Sequence, residues 1–288
     1  MIERTFSVEG YSFKGVIDGV GPSLLFVHGS VADYATFHGM ISRLSNSFKC
    51  VAYSRRFHPP NAPAENADVY DTMQQAQDML EIIAATGISP VVLVGSSFGA
   101  YVGLIAAILA PGKFRALVLC EPPMVPLLLY HPEGKSLHDE FVGTVMNPAR
   151  DAFRRGDERE GLRIFVEGVR GQPGWFNRLF PSMRAELMRF APELKAEFLS
   201  EYRRYMWEVS LDSLRGMPVP THLLGGEQST PMFSRILDVL EGSIPGARRI
   251  QVPGAGHLIH MQNPDALEVL LRKITVEEQV GRKKSRNG

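Results

Sequence analysis

The stretch VVLVGSSFG, residues 91–99, decides the fold of this chain. Its four leading apolar residues, three of them valine, predict a short buried strand. The run stops where Gly95 and Gly99 flank Ser97, and the segment 100–109 that follows is mostly apolar and rich in good helix formers. A strand, a sharp turn and a helix therefore follow one another, with one serine centred between two glycines.

The two glycines have a physical role in this turn. The turn forces Ser97 into a strained backbone conformation, and side chains at the flanking positions would clash with neighbouring elements. We expect the Ser97 hydroxyl to stand clear of the sheet, beside the positive end of the following helix. This placement is typical of a nucleophile. Taken alone, however, the five residues also fit an ordinary Gly/Ser turn of any α/β protein, and that alternative stays open at this point.

Composition excludes several classes of protein. The chain has 288 residues, of which 44% are hydrophobic and 22% charged, as in ordinary globular proteins. Lys plus Arg and Asp plus Glu each number 31, so no overall field favours a nucleic acid or membrane partner. Cys50 and Cys120 lie in apolar runs and are expected to be buried thiols, without a disulfide framework or zinc spacing. The N-terminal residues lack the apolar core of a signal peptide, and we expect a cytoplasmic protein.

One apolar segment has the length of a membrane span. Residues 91–110 carry no charge over 20 positions. Two glycines and two serines fall in its first half, which favours a buried strand joined to a buried helix over a membrane helix.

Strands and helices alternate along the first 121 residues. Such alternation predicts a doubly wound, mainly parallel sheet. The predicted strands are 5–8, 11–17, 23–27, 48–53, 91–94 and 114–120, and the predicted helices are 34–44, 71–85 and 100–109.

The alternation of predicted strands and helices stops after Glu121. Three prolines follow, and the pattern to about residue 214 is helical, with helices expected at 151–169 and 183–209. A strand at 219–224, a helix at 233–240, a strand at 249–252 and a helix at 265–274 resume the alternation. We therefore predict a core formed by 1–121 and 217–276, a helical cap at 122–216, and a disordered basic tail at 277–288.

A serine nucleophile needs a base and donors for the oxyanion. His257 ends the run GAGH, which follows the last predicted strand, and small residues there let a loop bring the imidazole to Ser97. The oxyanion donors should be backbone N–H groups, one from Phe98 and one from Ser30 in the run HGS that ends the strand 23–27. His28 is then expected to bond within its own loop and to transfer no proton.

These motifs together resemble the α/β-hydrolase superfamily. The resemblance rests on strand-HGS, strand-GSSFG, the helical insertion and the late GAGH, and it covers residues from about 10 to 275. It implies an eight-stranded, mostly parallel sheet with a helical cap after the sixth strand. It also implies hydrolase chemistry that uses no cofactor and no metal.

The triad acid departs from the superfamily pattern. Superfamily members usually place an Asp after the seventh strand, where this chain has Ser229 in the run GEQS, residues 226–229. Glu121 is the favoured alternative, because it ends the strand after the nucleophile's helix, where open α/β sheets place their ligands. This location resembles that of the zearalenone-type lactone hydrolases. Glu227, another acid or no acid at all remain alternatives.

Two further sets of residues have open roles. Arg55 and Arg56 could bind an anionic group of a substrate, although hydrogen bonds within the protein are favoured. Met124, Leu128 and Leu129 open the insertion and are predicted to line an apolar substrate pocket, although they could simply pack the cap on the core.

The sequence thus predicts a serine hydrolase that cleaves an ester or lactone of a small, mainly apolar substrate through an acyl-enzyme. Activity should fall below the pKa of the histidine base, about 6.5 for an unperturbed side chain. Other possibilities are a cofactor-independent carbon–carbon bond hydrolase, a perhydrolase or haloperoxidase-type enzyme, and a non-enzymatic small-molecule receptor on the same fold. A homodimer is possible.

Overall fold

The computed structural model describes residues 1–286, and side chains as far as residue 275. Within that range, eight strands form one sheet in the order β1-β2-β4-β3-β5-β6-β7-β8. The strands are β1 (Ile2–Val8), β2 (Tyr11–Asp18), β3 (Ser23–Val27), β4 (Lys49–Tyr53), β5 (Val91–Ser96), β6 (Phe114–Cys120), β7 (Thr221–Gly226) and β8 (Arg248–Val252).

The helices follow the predicted alternation. Those of the core are α1 (His38–Leu44), α2 (Thr72–Thr86), α3 (Phe98–Leu109), α12 (Pro231–Ser243), α13 (Ile259–Gln262) and α14 (Pro264–Arg286), with 3-10 turns at Tyr34–Phe37, Ala67–Val69 and Pro111–Lys113. Those between β6 and β7 are α4 (Gly134–Phe141), α5 (Asn147–Arg154), α6 (Glu158–Arg170), α7 (Trp175–Arg178), α8 (Pro181–Met188), α9 (Ala191–Leu199), α10 (Tyr202–Tyr205) and α11 (Leu211–Arg215), with a 3-10 segment at Val125–Tyr130 and a π-helical segment at Val142–Met146.

The sheet is mostly parallel. β2 runs antiparallel to both of its neighbours, β1 and β4, whereas β4, β3, β5, β6, β7 and β8 pair in parallel. The carboxyl ends of these six strands therefore meet at one edge, where open α/β sheets bind ligands. The predicted fold class, with eight strands and a helical cap after the sixth, is confirmed.

Both faces of the sheet are covered. Along β5, Val91 and Leu93 pack into one hydrophobic core, whereas Val92 and Val94 pack into the core on the opposite face. This is why the strand is a continuous apolar run instead of an alternating one. Each such buried side chain stabilises the fold by about 1.5–3 kcal/mol, and the sheet is therefore a rigid base for the groups at its edge. Cys50 and Cys120 are buried free thiols, as predicted.

The cap is helical, but its helices are shorter than predicted. The expected helix at 151–169 is interrupted at Gly156, whose φ of +81° ends α5, and Asp157 then caps α6. The expected helix at 183–209 consists of α8, α9 and α10. Pro181 and Pro192 each stand in the first turn of a new helix, a position that proline favours. All of these helices lie between the end of β6 at Cys120 and the start of β7 at Thr221, and the domain bounds at 122 and 216 stay predictions.

The uncharged stretch 91–110 is divided between β5 and α3, as predicted. Among the described helices, none is both long enough and apolar enough to cross a membrane. Residues 277–286 of the predicted disordered tail continue α14 in the described backbone, and residues 287 and 288 lie outside the described residues.

Candidate active site

Ser97 occupies the tight turn between β5 and α3. Its backbone has φ 51° and ψ −122°, a conformation that residues with side chains rarely adopt. The flanking glycines permit it: a Cβ on Gly95 would lie 2.5 Å from Ala100 Cα, and one on Gly99 would lie 2.3 Å from Val27 O. Ser97 directly precedes the 12-residue helix α3, whose first backbone N–H groups have no partner within the helix.

The loop after β3 lies against Ser97. A Cβ on Gly29 would come within 2.8 Å of Ser97 Cβ, so only glycine allows this approach. Ser30 follows and lines the same cavity as Ser97 and Phe98. The structure therefore brings together the three residues from which the nucleophile and the two oxyanion donors are predicted.

Hydrogen bonds fix the tautomer of His28 in the loop after β3. His28 Nδ1 lies 2.8 Å from the Gly29 carbonyl, which only accepts, and His28 Nε2 accepts from the Arg55 backbone N–H at 2.9 Å. Complete burial lowers the pKa of His28 well below its ordinary value, so the ring is neutral. Its two nitrogens are both occupied, in agreement with the expected structural role.

Glu121 reaches His257 from the end of β6. Its Oε2 lies 2.7 Å from His257 Nδ1, and its Oε1 accepts from the Gly226 backbone N–H at 2.7 Å. Glu121 itself is buried and has a φ of 47°. Glu227, the alternative acid, instead accepts from the Gly254 backbone N–H at 2.8 Å. The hydroxyl of Ser229, where the superfamily usually has Asp, is buried without a hydrogen-bond partner among the described residues.

The carboxylate fixes the imidazole for proton transfer. A carboxylate at His257 Nδ1 accepts the proton of that nitrogen and leaves the Nε2 lone pair free to act as a base. Phe233 stacks on the ring, with centroids 4.3 Å apart and planes 20° from parallel. Phe233 also lines the cavity beside Ser97, so one aromatic side chain contacts the His257 ring and borders the cavity that Ser97 lines.

The cavity beside Ser97 is apolar and comes mainly from the cap. Its walls are Ser30, Phe98, Pro123, Val125, Phe141, Met146, Phe165, Val169, Tyr205, Met206 and Phe233. None of the three residues predicted to line the pocket is among these walls. Met124 and Leu128 are buried in the core, and Leu129 is 56% exposed. From this part of the chain Pro123 and Val125, the first residue of the 3-10 segment Val125–Tyr130, line the cavity instead.

A larger cavity adjoins this one. The space beside Ser97 measures about 20 Å³, little more than one water molecule requires. A second cavity of about 440 Å³ lies between α4, α6 and the start of α12, and the side chain of Phe141 lines both. Only the larger one falls in the usual size range of ligand sites.

The arginines at 55 and 56 are paired within the protein. Arg56 binds Asp78 through two bonds of 2.7 and 2.6 Å. Arg55 is buried and donates to the His28 carbonyl at 3.0 Å, to Glu197 Oε1 at 3.3 Å and to Gln75. The favoured prediction for these arginines, hydrogen bonds within the protein, is confirmed.

Glu197 belongs to a buried polar cluster that the sequence analysis did not predict. Its Oε1 accepts from the Ser30 hydroxyl at 3.0 Å and from the Tyr70 hydroxyl at 2.5 Å, in addition to Arg55. Glu193 lies one turn earlier on α9, with Oε1 2.6 Å from His58 Nε2. The sequence contains one indication of this cluster. Glu193 and Glu197 stand four residues apart, which places them on one side of a helix, beside Leu194 and Phe198 at the same spacing.

The cluster contains two glutamates and one paired cation. Ligand-type atoms of His58, Glu193 and Glu197 lie within 4.8 Å of one another, and Arg55 pairs with Glu197 at 3.3 Å. Burial raises the pKa of each glutamate to about 7 and lowers the pKa of His58 well below its ordinary value. His58 Nδ1 lies 3.1 Å from the Ala32 carbonyl and must therefore carry its proton there. Its Nε2 then carries no proton and lies 2.6 Å from Glu193 Oε1.

The chain belongs to the α/β-hydrolase fold family. The family model, described as "alpha/beta hydrolase fold", matches residues 22–264. The Ser97, Glu121 and His257 positions described above all lie within this match.

Curated relatives include hydrolases of different kinds. The chain is 31% identical to the uncharacterized hydrolase YraK of Bacillus subtilis over 124 residues, which cover 43% of this chain and 46% of that protein. It is 23% identical to 2-(acetamidomethylene)succinate hydrolase of Mesorhizobium japonicum over 270 residues, or 89% of this chain and 88% of that protein.

Solved structures share the fold. The structure of Est816, described as an N-acyl homoserine lactone degrading enzyme, superposes with a TM-score of 0.73 at 18% identity, covering 94% of this chain and 99% of that one. Carboxylesterase CesB of Bacillus subtilis gives a TM-score of 0.70 at 17% identity, with 96% and 92% coverage.

Proposed function

We propose that this hydrolase cleaves a carboxylic ester or lactone through an acyl-enzyme on Ser97. The observation that carries the proposal is the buried pair of Glu121 and His257, 2.7 Å apart, at the rim where Ser97 is held in a strained turn. Strained backbone together with a carboxylate–imidazole pair is typical of catalytic sites.

The reaction has two halves. Ser97 Oγ attacks the carbonyl carbon while His257 Nε2 accepts its proton, and the N–H groups of Phe98 and Ser30 bind the oxyanion. Collapse breaks the bond to the leaving oxygen, which takes the proton from His257 as the alcohol departs. Water then gives its proton to His257 and attacks the acyl carbon, and the acid leaves as Ser97 regains its proton. Glu121 holds the imidazole in the required tautomer and stabilises its cation in both halves.

The substrate we propose is small and mainly apolar. Nine of the walls beside Ser97 are apolar or aromatic side chains from the segments around 123–125, 141–146, 165–169 and 205–206 together with Phe233. In the part of the chain that the structure describes, no lysine or arginine lines this cavity, and a carboxylate or phosphate at the reacting centre would therefore find no ionic partner. Relatives include a lactone-degrading enzyme and a carboxylesterase, which supports the same substrate class.

Two assays test the proposal. A panel of p-nitrophenyl esters and aliphatic lactones should be turned over by the wild type, and intact-mass analysis should detect one acyl or fluorophosphonate adduct. A protein that binds apolar esters without turnover and without an adduct would be a receptor on this fold. A carbon–carbon bond hydrolase or a perhydrolase would leave the esters largely uncleaved while acting on its own substrates. Cytoplasmic location and a homodimer remain predictions.

A further inference from the structure

Two elements hold the loop that contains Ser30, the segment with Arg55 and the cap helix α9. Arg55 holds His28 at two points, through its backbone N–H to Nε2 and through Nε to the carbonyl. Glu197, on cap helix α9, accepts the hydroxyl proton of Ser30 at 3.0 Å. Arg55 and Glu197 also pair at 3.3 Å, so the loop is fixed at both ends by one ion pair.

This ion pair crosses from the core to the cap. Arg55 follows β4, whereas Glu197 lies 142 residues later on α9, and both side chains are fully buried. Tyr70 donates to the same Glu197 oxygen at 2.5 Å, so Oε1 accepts from three donors. Breaking a buried pair of this kind leaves an uncompensated charge, and the geometry is therefore strongly specified.

We propose that Glu197 is a positioning residue, through which the cap sets the place of the Ser30 N–H in the oxyanion hole. This inference rests on the proposed function. Glu197 of the cap binds the side chain of Ser30, a residue of the proposed oxyanion hole. The packing of α9 on the core therefore also completes the oxyanion hole. Glu197 lies outside the walls of the cavity beside Ser97 and acts on the reaction only through Ser30.

The chemistry predicts which kinetic constant changes. A donor to the oxyanion acts in the transition state, whereas the ground-state carbonyl needs it less. Loss of a whole donor costs about 10²–10³ in kcat, and a donor displaced by part of an ångström should cost less. We expect Glu197→Gln to lower kcat by on the order of 10-fold with KM within about twofold.

The test is a double-mutant cycle. Glu197→Gln, Ser30→Ala and the double variant are assayed on one good ester, together with binding of a trifluoromethyl ketone that mimics the tetrahedral intermediate. Each single variant should lower kcat and weaken the ketone by a similar factor, and the double variant should be little worse than Ser30→Ala. Additive losses would overturn the proposal, because Glu197 would then act independently of Ser30.

Glu193→Gln is the matched control. It changes a buried glutamate one turn earlier on the same helix, which has no bond to Ser30, and should leave kcat within about twofold. A similar loss of kcat in this control would mean that the cluster acts only through stability, and the proposal would be wrong. If Glu197→Gln fails to fold, Ser30→Ala decides the matter, since it removes one hydroxyl at a half-buried site. Full kcat in Ser30→Ala would overturn the proposal.

Assays of the wild-type protein distinguish a failure of the positioning role from a failure of the proposed function. A wild type that neither cleaves esters nor forms the phosphonate adduct would overturn both proposals. A wild type that does both, with Glu197→Gln and Ser30→Ala unchanged in kcat and in ketone affinity, would overturn only the positioning role.

Discussion

Ser97 and Glu121 stand at the ends of two adjacent parallel strands, and both have a positive φ, of 51° and 47°. The two ends are joined by a hydrogen bond of 2.8 Å from the Ser97 N–H to the carbonyl of Cys120. A rigid, doubly covered sheet therefore carries both the hydroxyl and the carboxylate. Strain of this kind costs about 1–3 kcal/mol per residue and persists where the surrounding structure fixes it.

The first prediction concerns the covalent site. Replacing Ser97 with alanine should abolish ester turnover and labelling by a fluorophosphonate, because Ser97 alone occupies the strained turn beside the N-terminus of α3. Peptide mapping of the labelled wild type should place the adduct on the peptide that contains Ser97. Ser96→Ala is the control, and it should keep its label. Labelling of Ser97→Ala at the wild-type rate would assign the nucleophile to another residue.

The second prediction distinguishes the two candidate acids. Glu121→Gln should lower kcat by roughly four orders of magnitude, because an amide at His257 Nδ1 favours the wrong tautomer. Glu227→Gln should cost less than about 10-fold, since among the described residues Glu227 accepts from the Gly254 backbone and has no hydrogen bond with His257. Both variants are compared by circular dichroism and then assayed on one ester. The reverse order of losses would restore the acid to the loop after β7.

The placement of Glu121 shows which parts of the candidate site can be predicted from the sequence. The turn at Ser97, the HGS loop and the late GAGH were local patterns, and each could be located from its own neighbours. Glu121 could be proposed from its position at a strand end, although its 2.7 Å contact with His257 joins residues 136 positions apart. That contact depends on the register of β6 and β7, which the sequence does not contain locally.

The cap was less predictable for a physical reason. Met124 and Leu128 have the apolar character of pocket residues, but a 3-10 segment buries them in the core. Conversely, Phe141 and Phe165 gave no signal, because their side of an amphipathic helix is apolar whether it faces a core or a substrate. The pairing of Arg55 with Glu197 joins the core to the cap and needed the tertiary structure.

The third prediction concerns acyl-chain length. Phe141 lines both the small cavity beside Ser97 and the neighbouring cavity of about 440 Å³. Phe141→Ala should connect the two and raise kcat/KM for long relative to short acyl esters, by about 10-fold for a chain that buries two or three more methylenes. The measurement is a series of p-nitrophenyl esters from acetate to decanoate.

The control for Phe141 is Leu129, which is 56% exposed and outside both cavities. Leu129→Ala should leave the chain-length preference unchanged. An equal shift in the two variants, or none in Phe141→Ala when the protein is folded, would place the acyl group elsewhere.

The last prediction is a pH dependence of stability. Burial raises the pKa of Glu193 from 4.5 to about 7, so the folded protein keeps the Glu193 proton over a pH range in which the unfolded chain has released it. Below about pH 4.5 both states are protonated, and this contribution to stability is complete. As the pH rises toward 7 the unfolded chain releases its proton while the folded chain keeps it, so the free energy of unfolding falls by up to about 1.4 kcal/mol per pH unit.

Glu193→Gln, whose amide can donate to His58, should lack this fall. Urea unfolding of both proteins from about pH 5 to 8 measures the difference, which should change up to about pH 7 and stay constant above it. A difference that is flat throughout would show that Glu193 is ionised in the folded protein.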